Sequence, residues 1–225
     1  MIVKICGTTS EDDALLAVAM GADLIGFVFA PSPRQVAAQK AADIAKRLPS
    51  EIVTVGVFRN ELPERVVDVA VRAGMGAVQL HGYETPEQTR WVRARIPFVI
   101  KAFAAGDERI ARAADHGADA ILLDAPTPGS GRIFDWTLAS SAPPGVPLMI
   151  AGGLTPANVA AAIAQTRPWG VDVASGVERS PGVKDPVKLR AFIANAKAAD
   201  DDAGLSLADG TAQGGGVIYD WENER

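Results

Sequence analysis

Eight strand–helix units closing into one parallel barrel are what this sequence predicts, on three observations. Apolar runs of strand length start at intervals of roughly 20 to 28 residues through the first 200 residues, eight in all. Several of these runs bring a polar group to the same end, and each gives way to a helix-like stretch. The composition suits close-packed strands under small-residue helices, since 48% of the 225 residues are apolar but only 6% are aromatic. About 200 residues is the lower size limit of such a (β/α)8, or TIM, barrel. The alternative is a doubly wound open sheet, which calls for five or six units and a G-x-G-x-x-G turn after an early strand. Here Gly129-Ser130-Gly131 follows the sixth run, and Phe134 stands where the third glycine belongs.

The first run, Val3-Lys4-Ile5-Cys6-Gly7, delivers the only cysteine to a strand end. Ser10 then caps a helix whose first turn, Glu11-Asp12-Asp13, suits the positive end of the dipole, and Gly21 closes it. Strand two spans 23–29. Pro31 and Pro33 forbid further pairing, and a helix over 37–48 follows. Strand three is 52–58, with Asn60 expected to cap a third helix that ends at Gly74. After strand four, 77–80, come His81 and Gly82. Thr85-Pro86-Glu87-Gln88 then reads as a capping box with proline in the first turn. Strand five, 98–103, precedes a helix over 107–117, in which His116 is expected to complement the C-terminal dipole. Strand six, 120–124, ends in Asp124. A loop over 125–133 and a short helix near 135–140 come next. Strand seven, 147–151, leads to Gly152-Gly153 and a helix opened by Thr155-Pro156. Strand eight, 170–174, leads to Ser175-Gly176 and a last helix from Asp185-Pro186 to about residue 199.

Residues 1–199 are thus expected to be one catalytic barrel and residues 200–225 an acidic, flexible tail. From Asp201 onward six acids face one base, so the tail holds the whole net charge of −5 and the barrel is neutral. Val217–Trp221 is a small apolar cluster within it. The charge balance lacks the basic patch that nucleic acid requires. No apolar run approaches 18 residues, and the N-terminus enters a strand without a signal-peptide pattern, so a soluble cytoplasmic protein off the membrane is expected. One cysteine and two histidines are a poor supply for a metal site, and none is assigned.

In a barrel of this kind the reacting groups stand at the carboxyl ends of the strands. Here these are Cys6, Arg34, Gln79 with His81, Asp124, Gly152-Gly153 and Ser175-Gly176. Lys4 and Cys6 share a face by the period-two rule. A buried ammonium needs a partner, and strands one and eight are neighbours in a closed barrel, so a Lys4–Asp172 pair is expected in the mouth. Lys4 and a nearby helix dipole would raise the thiolate fraction of Cys6, making it a base or nucleophile. The bland reading of Cys6 is a small buried hydrophobe. Asp124 reads as an acid at the end of an apolar strand or as a simple turn cap. Arg34 reads as a fork for carboxylate or phosphate, or as a surface arginine. Glycine pairs after the last two strands suit a phosphate, whose oxygens backbone N–H groups can approach closely.

Taken together, Lys4-Ile5-Cys6-Gly7, Ser32-Pro33-Arg34, Val78-Gln79-Leu80-His81-Gly82, Leu123-Asp124, Phe134-Asp135-Trp136, Ala151-Gly152-Gly153-Leu154 and Val171-Asp172-Val173-Ala174-Ser175-Gly176-Val177-Glu178 resemble the phosphoribosylanthranilate isomerase family over about residues 1–199. The resemblance implies a cofactor-free Amadori rearrangement of a small-molecule sugar phosphate in tryptophan biosynthesis. By the same resemblance, Asp124 is the general acid, Cys6 the general base and Arg34 the holder of the anthranilate carboxylate. The glycine turns and Ser175 hold the phosphate. Apart from the resemblance, Gln79, His81 and Asp172 are candidate substrate contacts by their place at the rim. The expected assembly is a monomer, with a dimer as the alternative. A sugar-phosphate epimerase and a non-catalytic phosphate-binding barrel are the competing functions.

Overall fold

The computed structural model describes residues 1–125 and 135–202. Eight parallel strands close on themselves in sequence order: β1 (Ile2–Ile5), β2 (Leu24–Val28), β3 (Val53–Phe58), β4 (Ala77–Leu80), β5 (Phe98–Ala104), β6 (Ala120–Asp124), β7 (Leu148–Ile150) and β8 (Gly170–Val173). Closure is made by β1 against β8, with Lys4 opposite Asp172 in the register.

Alternation along these strands divides the core in two. Leu24, Val55, Ala77, Ile100, Leu122 and Met149 fill the barrel's interior. Residues adjacent to them along the strands, such as Ile25, Val78, Val99 and Ile150, face the helices. Those helices are α1 (Glu11–Ala19), α2 (Ala38–Ala45), α3 (Pro63–Ala73), α4 (Pro86–Arg93), α5 (Val159–Thr166) and α6 (Pro186–Asp202). The expected caps on two of them are in place. Ser10 accepts from the Asp13 amide, and Thr85 and Gln88 form a reciprocal capping box.

Several expectations need correction. Asn60 does not cap α3. It takes a left-handed conformation (φ 55°), and its Oδ1 accepts from the Tyr83 amide at 2.7 Å. Helix α3 starts instead at Pro63, whose fixed φ favours the first helical position. The segment expected to be the fifth helix is a 3₁₀ helix, Glu108–His116, broken at Arg112. Its buried residues, Ile110, Ala113 and His116, recur every three positions, which is the 3₁₀ period rather than the α period. Helix α5 starts at Val159, not at Thr155-Pro156. The Asn158 carboxamide accepts from the Thr155 amide and donates to the Gly153 carbonyl, locking those residues into a turn. An antiparallel hairpin, β9 (Glu178–Ser180) and β10 (Val183–Lys184), stands between β8 and α6 where the sequence suggested only a loop. The short helix after Asp135 is a 3₁₀ turn, Trp136–Ser141.

The predicted loop beyond residue 125, including Gly129-Ser130-Gly131 and Phe134, and the tail from 203 on lie outside the described residues. Helix α6 runs three residues past the expected end, to Asp202. Among the described residues no helix is long and apolar enough to cross a membrane.

His116 is not the C-terminal cation expected. It is buried at 4% exposure, packs edge-on against Phe103, and its Nδ1 lies 3.1 Å from the Thr89 hydroxyl. Burial, helped by the Lys101 and Arg109 charges, lowers its pKa to about 4. The unfolded imidazole binds its proton below the ordinary value of 6.5 and the folded one only near 4, so stability falls as pH drops through that window. Urea titrations between pH 7 and 4 should show a loss on the order of 2–3 kcal/mol from this residue. His116→Gln should flatten that slope, and an unchanged slope would remove His116 as its source.

Candidate active site

Every strand brings its inward-facing side chain to the mouth at its carboxyl end, so the chemistry there is set by residues two positions beyond the interior core. On β1 these are Lys4 and Cys6. On β4 and β6 they are Gln79 and Asp124, and on β8 Asp172.

Lys4 is fully buried, and its ammonium donates to Asp172 Oδ1 at 2.9 Å, the pair expected from alternation. Burial opposes its charge, but Asp172 and Cys6 outweigh that and hold the ammonium above its usual range. Cys6 lies beside this pair. Gly26 on β2 makes the room, since a Cβ there would press on Cys6 Sγ and Lys4 Nζ at 3.0 and 3.2 Å. Lys4 acts on the thiol in the expected direction, but burial outweighs it. Burial pushes the Cys6 thiol above its ordinary value of 9.0, the Asp172 charge adds to the rise, and Lys4 and Lys184 offset only part of it.

Asp124 ends β6, three strands from β1 around the ring by way of β7 and β8. Its Oδ1 accepts from the Ala125 amide at 2.7 Å, and its Oδ2 lies 3.2 Å from His81 Nε2. Gln79 completes a chain behind it, its amide nitrogen 2.7 Å from His81 Nδ1. With the amide donating there, the imidazole proton sits on Nε2 and points at the carboxylate. Gln79 Oε1 is buried without a partner among the described residues.

The two glycine turns meet. Gly152 and Gly153 both have positive φ (77° and 67°), and a Cβ at Gly152 would strike the Ala125 amide. A Cβ at Gly176 would collide with the Leu154 carbonyl. Both turns, with Ser175, Asp124 and Asp172, line a cavity of about 60 Å³, a volume suited to a phosphate-sized group. A larger one, about 340 Å³, lies outside the mouth between Phe29, Phe58, Arg59 and α3, and contains neither Cys6 nor Asp124.

Arg34 does not reach into solvent. Its Nε and Nη2 donate to both oxygens of Glu178 at 2.7–3.2 Å, and Lys184 Nζ donates to Glu178 Oε1 at 3.0 Å and to the Cys6 carbonyl at 2.6 Å. Glu178 stood in the sequence only as part of a motif, and Lys184 was passed over. The signal that could have found them is Pro181-Gly182, a turn dipeptide flanked by an acid and a base.

Comparison with known proteins places these features in a context. The family described as N-(5'phosphoribosyl)anthranilate (PRA) isomerase matches residues 3–195. The N-(5'-phosphoribosyl)anthranilate isomerase of Desulforudis audaxviator is 48% identical over 205 residues, covering 88% of this chain and 98% of the relative. A crystal structure of phosphoribosyl anthranilate isomerase in complex with reduced 1-(o-carboxyphenylamino)-1-deoxyribulose 5-phosphate is similar with a TM-score of 0.78 at 44% identity, covering 88% of this chain and 100% of that one. A structure of monomers generated from the dimeric enzyme of Thermotoga maritima gives the same TM-score, 0.78, identity, 44%, and coverage, 88% and 100%.

Lys4→Met should leave Asp172 buried without its cation, at a cost of about 3–5 kcal/mol in urea unfolding. It should also move the pH midpoint of Cys6 alkylation by iodoacetamide upward, because Lys4 is the largest charge favouring the thiolate. An unmoved midpoint would show that Lys4 does not act on the thiol.

Proposed function

Because the chain belongs to the phosphoribosylanthranilate isomerase family, we propose that Cys6 and Asp124 are the base and acid of its reaction. That reaction is the conversion of N-(5-phosphoribosyl)anthranilate to 1-(2-carboxyphenylamino)-1-deoxyribulose 5-phosphate in tryptophan biosynthesis. The observation that carries the assignment is the placement of a thiol and a carboxylate on β1 and β6, both facing into one mouth from opposite arcs of the barrel.

Protonated Asp124 gives its proton to the furanose ring oxygen as the C1–O bond breaks, and the anilino nitrogen's lone pair forms an iminium. The Cys6 thiolate removes the C2 proton, and the C–H electrons flow into the C1–C2 bond to neutralise the iminium. The enolamine then tautomerises to the ketose. One proton leaves Asp124 and one arrives on Cys6, so the site as a whole is proton-neutral. Fixing both anionic ends of the substrate holds the sugar between acid and base. Arg34 takes the anthranilate carboxylate. The turns at Gly152-Gly153 and Ser175-Gly176 take the phosphate, beside Asp124 as the small cavity's lining supports. Gln79 and His81 border the sugar from behind Asp124, and Asp172 from beside Cys6.

We assign catalysis to residues 1–199 and no part in it to residues 200–225. The monomer is the catalytic unit, since every residue named comes from one chain. A dimer, as described for the Thermotoga maritima relative, is the alternative that sedimentation separates. The partner is the small-molecule sugar phosphate, and the cytoplasm is its place.

Cys6→Ala and Asp124→Asn should each lower turnover by at least ~10², followed as loss of anthranilate fluorescence from freshly made substrate. Turnover within tenfold of wild type would take that residue out of the mechanism. Arg34→Ala should act mainly on KM, and an unchanged KM would remove it as the carboxylate holder.

A further inference from the structure

The hairpin β9–β10 has no role in the acid–base steps, yet it holds two charged side chains buried against the site. Glu178 is 7% exposed and Lys184 1%. Glu178 receives three donations from Arg34 and one from Lys184. Lys184 reaches past it to the backbone carbonyl of Cys6. The hairpin itself is pinned to the chain's first turn, where the Thr9 hydroxyl donates to the Gly182 carbonyl and Asp13 accepts from the Lys184 amide.

Gly7 completes the arrangement. It has a φ of 70°, and a Cβ there would collide with Arg34 Cδ, so the arginine stem lies directly on the backbone after Cys6. Arg34 Nε and one N–H of Nη2 are spent on Glu178, leaving both N–H groups of Nη1 and the second of Nη2. That leftover edge is planar and bidentate, the form that matches a carboxylate. Glu178 and Arg34 favour each other's charged forms: the arginine is held above its usual range by this hydrogen bond. The glutamate is held below its own against its burial, by Arg34 and Lys184.

We propose that Glu178 is a positioning residue for substrate selection: anchored by Lys184 to the base-bearing strand, it fixes which edge of the Arg34 guanidinium faces the mouth and so sets where a ring carboxylate is held relative to Cys6. This rests on the assignment of Arg34 to the anthranilate carboxylate. An arginine free to rotate would still attract an anion, but it would not hold the substrate's C2 in register with the thiol.

Two ligands test it by calorimetry: the reduced product analogue 1-(o-carboxyphenylamino)-1-deoxyribulose 5-phosphate, and its counterpart lacking the ring carboxylate. Glu178→Gln should weaken the carboxylated ligand about tenfold to a hundredfold, the range for losing a hydrogen bond to a charged group, and leave the counterpart within threefold. KM for the substrate should rise by the same factor, with kcat changing less. Equal weakening of both ligands, or of neither, would overturn the proposal. Should Glu178→Gln fail to fold, Glu178→Asp keeps the charge but withdraws it by one methylene. It should show the same ligand-selective loss, and its absence there would overturn the proposal equally. Arg34→Ala separates the two levels. If it fails to discriminate the ligands, the assignment of Arg34 falls and the proposal with it. If it discriminates and the Glu178 variants do not, the proposal alone falls.

Discussion

The ion pair between Lys4 and Asp172 is the contact on which the rest of the mouth depends. It joins the first and last strands of the barrel, so it sits on the seam where closure is decided. A lysine at a fully buried position is tolerable only with a partner in place, because desolvating an unpaired ammonium costs several kcal/mol. That partner exists only when β8 lies beside β1 in one register. A slip by one residue would turn Asp172 to the outer face and leave the ammonium alone. The pair therefore stabilises the closed ring less than it discriminates against misregistered ones. The local space is arranged around it, since the glycine of β2 at position 26 leaves no Cβ to contend with the ammonium and the thiol.

The pair also sets the terms on which Cys6 can work. A thiol at a dry strand end is held protonated by burial, and the Lys4 charge is shared with Asp172 before it reaches the sulfur. A neutral thiol is no base, so in the proposed mechanism Cys6 must first lose its own proton to solvent. The iminium formed in the first step places a positive charge close to the sulfur, and an anion that is costly in the empty site is less so beside that cation. The order of events, acid before base, then follows from electrostatics as well as from the chemistry of the sugar.

Much of this was legible in the sequence, for identifiable reasons. Strands β4 and β6 were placed to the residue, and Lys4–Asp172 could be paired, because period-two alternation and barrel closure are rules about backbone geometry. The cap at Thr85 was readable because a capping box is purely local. The failures share a different cause. Asn60 looks like a cap until Tyr83, from the next loop, claims its side chain, and Thr155 looks like a helix start until Asn158 folds back onto Gly153. His116 looks like a helix-end cation until Phe103 and Thr89 enclose it. In the site, Cys6, Asp124 and the glycine turns were visible as strand ends. The Glu178–Lys184 lock was not, since its members lie beyond the last strand and meet Arg34 across 144 residues.

The division that emerges is between parts that hold the chemistry and parts that hold the substrate. The proposed acid and base stand at barrel strand ends, where ladder hydrogen bonds to neighbouring strands hold the backbone. The proposed carboxylate anchor, Arg34, stands on a loop, and a loop alone holds a side chain less closely than a strand does. The hairpin resolves this difference. By tying Arg34 to Glu178, and Glu178 through Lys184 to the carbonyl of the base itself, it refers the loop's position back to β1. A substrate gripped at its carboxylate, as proposed, is thereby positioned relative to the residue that carries the thiol. As proposed, a change at Glu178 acts on how the ring carboxylate is held, whereas a change at Lys184 also reaches Cys6 through its carbonyl and its charge. Specificity and reactivity are therefore separable at the first residue and not at the second.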